Sequence, residues 1–137
     1  MLRLNGLRAA AFDQLLDAMR MPKSEARDTA MTEATVAATE VPLGVLESCP
    51  AVIELCMEVG RIGLQASLSD AGVGAQMGRA AAAGAYQNVC INLAGLTDAA
   101  RRATLVQRAD TAWEQARKLH AEAEETSLVK LRKGVTD

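Results

Sequence analysis

The sequence predicts an all-α protein, a bundle of about five helices with antiparallel neighbours. Three observations carry this. Runs of β-branched and aromatic residues alternating at period two do not occur, and aromatics are only 2% of the 137 residues. Ala, Leu, Glu, Arg, Gln and Met, all good helix formers, fill the segments between Pro and Gly. Apolar residues recur at three- and four-residue spacing through most of those segments.

The first helix is expected from about Leu4 to Met21. Leu7, Ala11, Leu15 and Ala18 share a face, with Phe12 and Met19 beside them, and Pro22 stops it. Ser24 then reads as an N-cap, with Glu25 and Asp28 in the first turn, where the helix dipole favours negative charge. The second helix runs from there towards Cys49. Pro42 lies inside it and predicts a kink, because Ala34, Ala38, Val41 and Val45 keep one stripe.

Pro50 is expected to open a third helix to about Ile62, since proline at a first helical position costs little. Gly60, Gly63 and Ser67 mark a loop. Ser69 and Asp70 begin a fourth helix, which carries four internal glycines, Gly72, Gly74, Gly78 and Gly84. Each costs about 1 kcal/mol relative to alanine, so close approach of another helix or of a ligand has to compensate. Gly74, Gly78 and Ala82, four apart, form a smooth strip. Gly95 ends that helix, and Thr97 is the expected N-cap of a fifth, with Asp98 in its first turn. Leu105, Ala109, Ala112, Ala116 and Leu119 are its buried stripe, and Gly134 its stop.

At 137 residues the chain fits a single domain, residues 1–137. Half of the residues are hydrophobic, but alanine dominates them. A buried alanine gains far less than the roughly 1.5–3 kcal/mol of a buried Leu or Val. Such a thin core predicts a homodimer that covers the Ala/Gly face. A net charge of −2 argues against a nucleic-acid partner or a membrane surface. Cys49, Cys56 and Cys90 are odd in number and lack CxxC spacing, so no disulfide framework or metal site is expected. No stretch is read as long and apolar enough to span a bilayer, and no signal peptide is read at the N-terminus. The expected compartment is the cytoplasm.

Several segments match a known pattern. Ser69-Asp70-Ala71-Gly72-Val73, then Gly84-Ala85-Tyr86-Gln87-Asn88-Val89-Cys90-Ile91-Asn92-Leu93, then Leu96-Thr97-Asp98 stand in the order and spacing of one family. Upstream, Ala11-Phe12, Met19-Arg20-Met21-Pro22-Lys23 and Ala38-Thr39-Glu40-Val41-Pro42-Leu43 fit as well. The chain resembles the formiminotetrahydrofolate cyclodeaminase and methenyltetrahydrofolate cyclohydrolase family across nearly its whole length. The resemblance implies a dimerising, cyclodeaminase-like helical bundle with a site for reduced folate. The reactions it implies are ammonia release with ring closure, or hydrolysis of a methenyl group. It implies no cofactor beyond a tetrahydrofolate derivative as ligand.

Two departures bear on chemistry. The family's N-terminal Gly-rich segment has no counterpart here, so an N-terminally truncated relative is expected. The family's acidic positions before Ala11-Phe12 read Gly6 and Arg8. Neither glycine nor arginine can act as a general acid or base near neutral pH. The catalytic residues are therefore unknown, and the family reaction is expected to be lost.

Asp70, Asn88, Asn92 and Arg79 are the ligand-binding candidates. Asp70 suits a ligand amine or the free N–H groups of a helix start. Asn88 and Asn92, four apart on one face, suit a pterin or a facing helix. Arg79 and the pair Arg101-Arg102 suit a folate glutamate tail or solvent. His120, amid Glu114, Glu122, Glu124 and Glu125, reads as a surface residue rather than a general base. Asp13 and Asp17 read as a solvated face, and Cys56 and Cys90 as small core hydrophobes. Two functions stay open. One is a folate-directed enzyme or folate binder. The other is a non-catalytic helical binding or assembly protein built on the same fold.

Overall fold

A computed structural model describes residues 2–136, with side chains described for residues 10–133 and for Val135. Four α-helices and one single-turn 3-10 helix follow in order: α1 (Leu2–Arg20), α2 (Glu25–Ile62), the 3-10 turn (Gln65–Ser67), α3 (Leu68–Ala94) and α4 (Ala99–Thr136). No strand occurs among the described residues.

The all-helical class holds, and the second and third expected segments are one helix. At 38 residues α2 passes through both Pro42 and Pro50. An interior proline costs a helix about 3 kcal/mol. Around Pro50 that cost is set against burial, because Pro50 itself is buried with Leu46, Cys49 and Ile53 on one side of α2. Three boundaries also differ. Asp98, not Thr97, caps α4, accepting the Arg101 N–H at 3.0 Å. The first residue of α3 is Leu68, directly after the 3-10 turn. Finally, α4 continues past Gly134 to Thr136. Ser24 caps α2 as expected, accepting the Arg27 N–H at 3.2 Å, and Gly95 closes α3.

Pairings along the helices give the topology. Glycines 74 and 78 of α3 face Cys56 and Ile53 of α2, while Asn92 reaches Ala38, so α2 and α3 are antiparallel. Tyr86 meets Asp110, Gln76 meets His120 and Gly72 faces Ser127, so α3 and α4 are antiparallel too. Glu33 pairs with Arg101 and Glu47 with Arg108, which makes α2 and α4 parallel. These three helices enclose Leu43, Leu46, Ile53, Val89, Leu96 and Ala116, each essentially inaccessible to water. The fourth, α1, packs against α2 through Ala11 and Ala18.

The Gly74–Gly78–Ala82 strip serves this interior. An added Cβ would sit 2.8 Å from Cys56 Sγ at Gly74 and 2.8 Å from Ile53 Cγ1 at Gly78. The face expected to meet a second copy is thus covered by α2 of the same chain. Buried hydroxyls are satisfied locally: Thr39 and Thr35 donate back to the carbonyls of Thr35 and Met31, both at 2.7 Å.

One expectation does not stand. By length and composition α2 is apolar enough to cross a membrane, with a stretch of mean hydropathy 1.4. The reason is its Ala, Val and Leu content. The same helix carries Glu40 and Glu47, seven residues apart, and both bind Arg108 of α4 through four hydrogen bonds of 2.7–3.1 Å. Those carboxylates hold the guanidinium firmly in its charged form.

Candidate functional site

Two concavities stand out among the described residues. The larger is a groove of about 750 Å³ between α1, α2 and α3. Its walls are Ala11, Phe12 and Leu15 of α1, Ala38, Val41, Pro42 and Val45 of α2, and Ala81, Gly84, Ala85, Asn88 and Asn92 of α3. Small residues make it roomy, and a Cβ at Gly84 would meet nothing within 4 Å. Among its described lining residues, the polar side chains are the two asparagines. The smaller concavity, about 530 Å³, opens at the other end of α2 and is lined by Leu55, Cys56, Met57, Leu68, Leu119 and their neighbours. It shares no residue with the groove.

Asn88 and Asn92 are thus brought together on one wall, one helical turn apart. The Asn88 amide donates to Gly84 O of its own helix at 2.9 Å and is exposed. The Asn92 amide crosses to α2 and donates to Ala38 O at 3.0 Å. Asp70 is exposed in the first turn of α3 and lines neither concavity. Arg79 is exposed as well and lines neither. Arg101 is held by Glu33 and Asp98, and Arg102 donates to Leu96 O at 2.9 Å. Gly6 and Arg8 lie outside the residues whose side chains are described.

Two readings of single residues change. His120 is 8% exposed, not a surface residue, and its Nε2 lies 2.8 Å from Gln76 Oε1. It continues the buried stripe of Leu105, Ala109, Ala112 and Ala116 at helical spacing, which its Glu-rich surroundings conceal. Cys90 is exposed, whereas Cys49 is buried and burial pushes its thiol upwards. Asp13 and Asp17 are exposed, as read, with Asp17 3.5 Å from Arg20. No cluster of three His, Cys, Asp or Glu able to hold a metal occurs among the described residues.

Sequence reasoning missed one constellation. Tyr86 stacks on Trp113 with ring centroids 5.5 Å apart, and Arg117 lies 5.9 Å over the indole. The Tyr86 hydroxyl donates to Asp110 Oδ1 at 2.7 Å, which with partial burial pushes the phenol up to about 12. The available signal was composition: these are the only tyrosine and the only tryptophan in the chain. They tie α3 to α4.

A groove walled by Ala38–Pro42 and by the Gly84–Asn92 turns is built from the very segments that carry the family resemblance. The family model for formiminotransferase-cyclodeaminase matches residues 8–111. The chain belongs to that family. It is 33% identical over 114 residues to the formimidoyltransferase-cyclodeaminase of Sus scrofa, covering 80% of this chain and 21% of that relative. With the Gallus gallus formimidoyltransferase-cyclodeaminase the identity is 38% over 93 residues, 64% of this chain and 17% of the relative. The methenyltetrahydrofolate cyclohydrolase of Methylorubrum extorquens is 37% identical over 95 residues, 66% of this chain and 46% of the relative. The chain therefore spans less than half the length of each of these proteins.

Proposed function

We propose that this member of the folate-related family binds a reduced folate in the α1–α2–α3 groove without catalysing the family reaction. One observation carries the reading: the groove is large and apolar, offers two amides, and has no carboxylate or histidine among its described lining residues. Sites for small ligands are commonly apolar concavities of about 300–1,000 Å³ with a few placed polar groups. A flat heteroaromatic ring suits such walls, and amides can meet its donors and acceptors. General acid–base catalysis needs a titratable group within reach of the reacting atoms. The Gly6 and Arg8 replacements point the same way.

Calorimetric titration with 5-formyltetrahydrofolate tests this. Saturable binding near one site per chain, weakened by Asn88→Leu, is the expected result. Absence of heat up to about a millimolar ligand, where even ~4 kcal/mol of affinity registers, overturns it. So does measurable hydrolysis of methenyltetrahydrofolate by the purified chain, as far as loss of catalysis is concerned.

The alternative, a helical assembly protein, draws on the outer faces of α2 and α3. Val52, Leu55 and Val59 of α2 and Val73, Met77 and Ile91 of α3 are between 43% and 71% exposed. Helices apolar on all sides are usually covered. We infer a homodimer formed through this face, which is compatible with folate binding as well as with a purely structural role.

A further inference from the structure

Proline has no N–H, so inside a helix it leaves the carbonyl four residues back without its usual donor. For Pro42 that carbonyl belongs to Ala38. The amide that reaches Ala38 O comes from another helix: Asn92 Nδ2, at 3.0 Å and 54 positions away in sequence. The contact is half-buried, where a carbonyl without a partner costs about as much as a lost hydrogen bond. Asparagine is itself a poor residue for a helix interior. Two locally unfavourable choices, Pro42 in α2 and Asn92 in α3, thus meet at one atom and each accounts for the other.

We propose that Asn92 is a positioning residue that supplies the donor Pro42 lacks, and so fixes α3 against α2 along the floor of the groove. The two asparagines of the wall then have different duties. Asn88 Nδ2 bonds a carbonyl of its own helix, Gly84 O, one that the regular helical ladder already serves. It can turn towards a ligand without stranding a backbone group. Asn92 Nδ2 cannot leave Ala38 O without doing so. Resting on the folate reading, Asn88 is the amide that meets the ligand, and Asn92 sets the width of the space that receives it.

A double-mutant cycle on the unliganded chain tests the pairing, using Asn92→Leu, Pro42→Ala and the double variant. In the P42A background the new N–H of residue 42 can serve Ala38 O. Asn92→Leu is expected to lower the melting midpoint by roughly 3–6 °C in the parent chain and by less than half of that beside P42A. Equal losses in both backgrounds overturn the proposal.

A second readout does not depend on overall stability. The carbonyl carbon resonance of Ala38 is expected to move on N92L and to return towards its parent position in the double variant. The P42A protein alone should also shift it, which keeps the test open if N92L unfolds. An Ala38 resonance indifferent to Asn92→Leu or, where N92L does not fold, indifferent to P42A in the otherwise unaltered chain, overturns the proposal. Because no folate is present, this result stands apart from the calorimetric one. In the titration, N88L should weaken binding more than N92L on the P42A background does, because only Asn88 is free to meet the ligand. Binding lost with both double and N88L variants contradicts the division of duties.

Discussion

A methyl group added at Gly78 would sit 2.8 Å from Ile53 Cγ1, on the tight seam between α2 and α3. One added at Gly84 would meet nothing within 4 Å, because the groove lies there. The same substitution therefore has opposite signs two turns apart. Gly78→Ala is expected to destabilise the fold by about 1–3 kcal/mol through overpacking. Gly84→Ala should stabilise it by up to about 1 kcal/mol through helix propensity, yet weaken ligand binding by narrowing the groove. Urea denaturation of the two variants decides the first contrast, and folate titration of G84A the second. Tyr86 gives a prediction in pH. Its phenol is raised from 10.0 to about 12, chiefly by the bond to Asp110. Between those values the unfolded chain has lost a proton that the folded chain keeps, so stability falls as pH rises through that window and is unaffected below it. Tyrosinate absorbance of the native protein should titrate near the upper value, and stability profiles of Tyr86→Phe should lose the alkaline decline.

Helix ends depend on single contacts that a sequence displays openly. Ser24 stands before Glu25 and Asp28, and its hydroxyl caps α2 as the spacing requires. For α4 the capping atom is Asp98 Oδ1, and Asp98→Ala is expected to cost about 1 kcal/mol, measurable as a lower denaturation midpoint at unchanged slope. Interior features were harder to read. Proline propensity describes a local cost and says nothing of the burial of Leu46, Cys49, Pro50 and Ile53, so Pro50 read as a helix start although α2 continues through it. Charged neighbours point His120 towards the surface, but its spacing from Ala112 and Ala116 sets it on the buried stripe. The groove was half legible. The pairing of Asn88 with Asn92 on one face follows from their spacing, but that Asn92 answers Pro42 needs two helices in register, which no local pattern reports. Asp70 and Arg79 could not be told apart from the asparagines for the same reason, since exposure of a polar helix residue is set by what packs beside it.

At the scale of the whole molecule the two sides of the bundle differ in kind. The outer side of α4 carries charge, with Arg101, Arg117, Glu114 and Glu122 exposed to solvent. On α2, Glu40 and Glu47 lie towards α4 and bind Arg108. The opposite side of the α2–α3 pair is apolar, with Leu55 66% and Met77 65% exposed, and Val52 lies beside the Gly78 seam that joins the two helices. A face with this much exposed apolar surface gains by meeting its own copy, and two-fold dimers are the commonest assemblies of soluble chains. Light scattering at micromolar concentration is therefore expected to give twice the chain mass, with a melting midpoint that rises with concentration. Met77→Glu places two carboxylates in the buried face and should yield monomers. Because Met77 is largely exposed in the single chain, the same change should leave the helical content of the monomer intact. Leu128→Glu, on exposed α4, should leave the dimer unchanged. A monomeric parent chain would remove the dimer altogether, and a dimeric M77E protein would move its interface to another face.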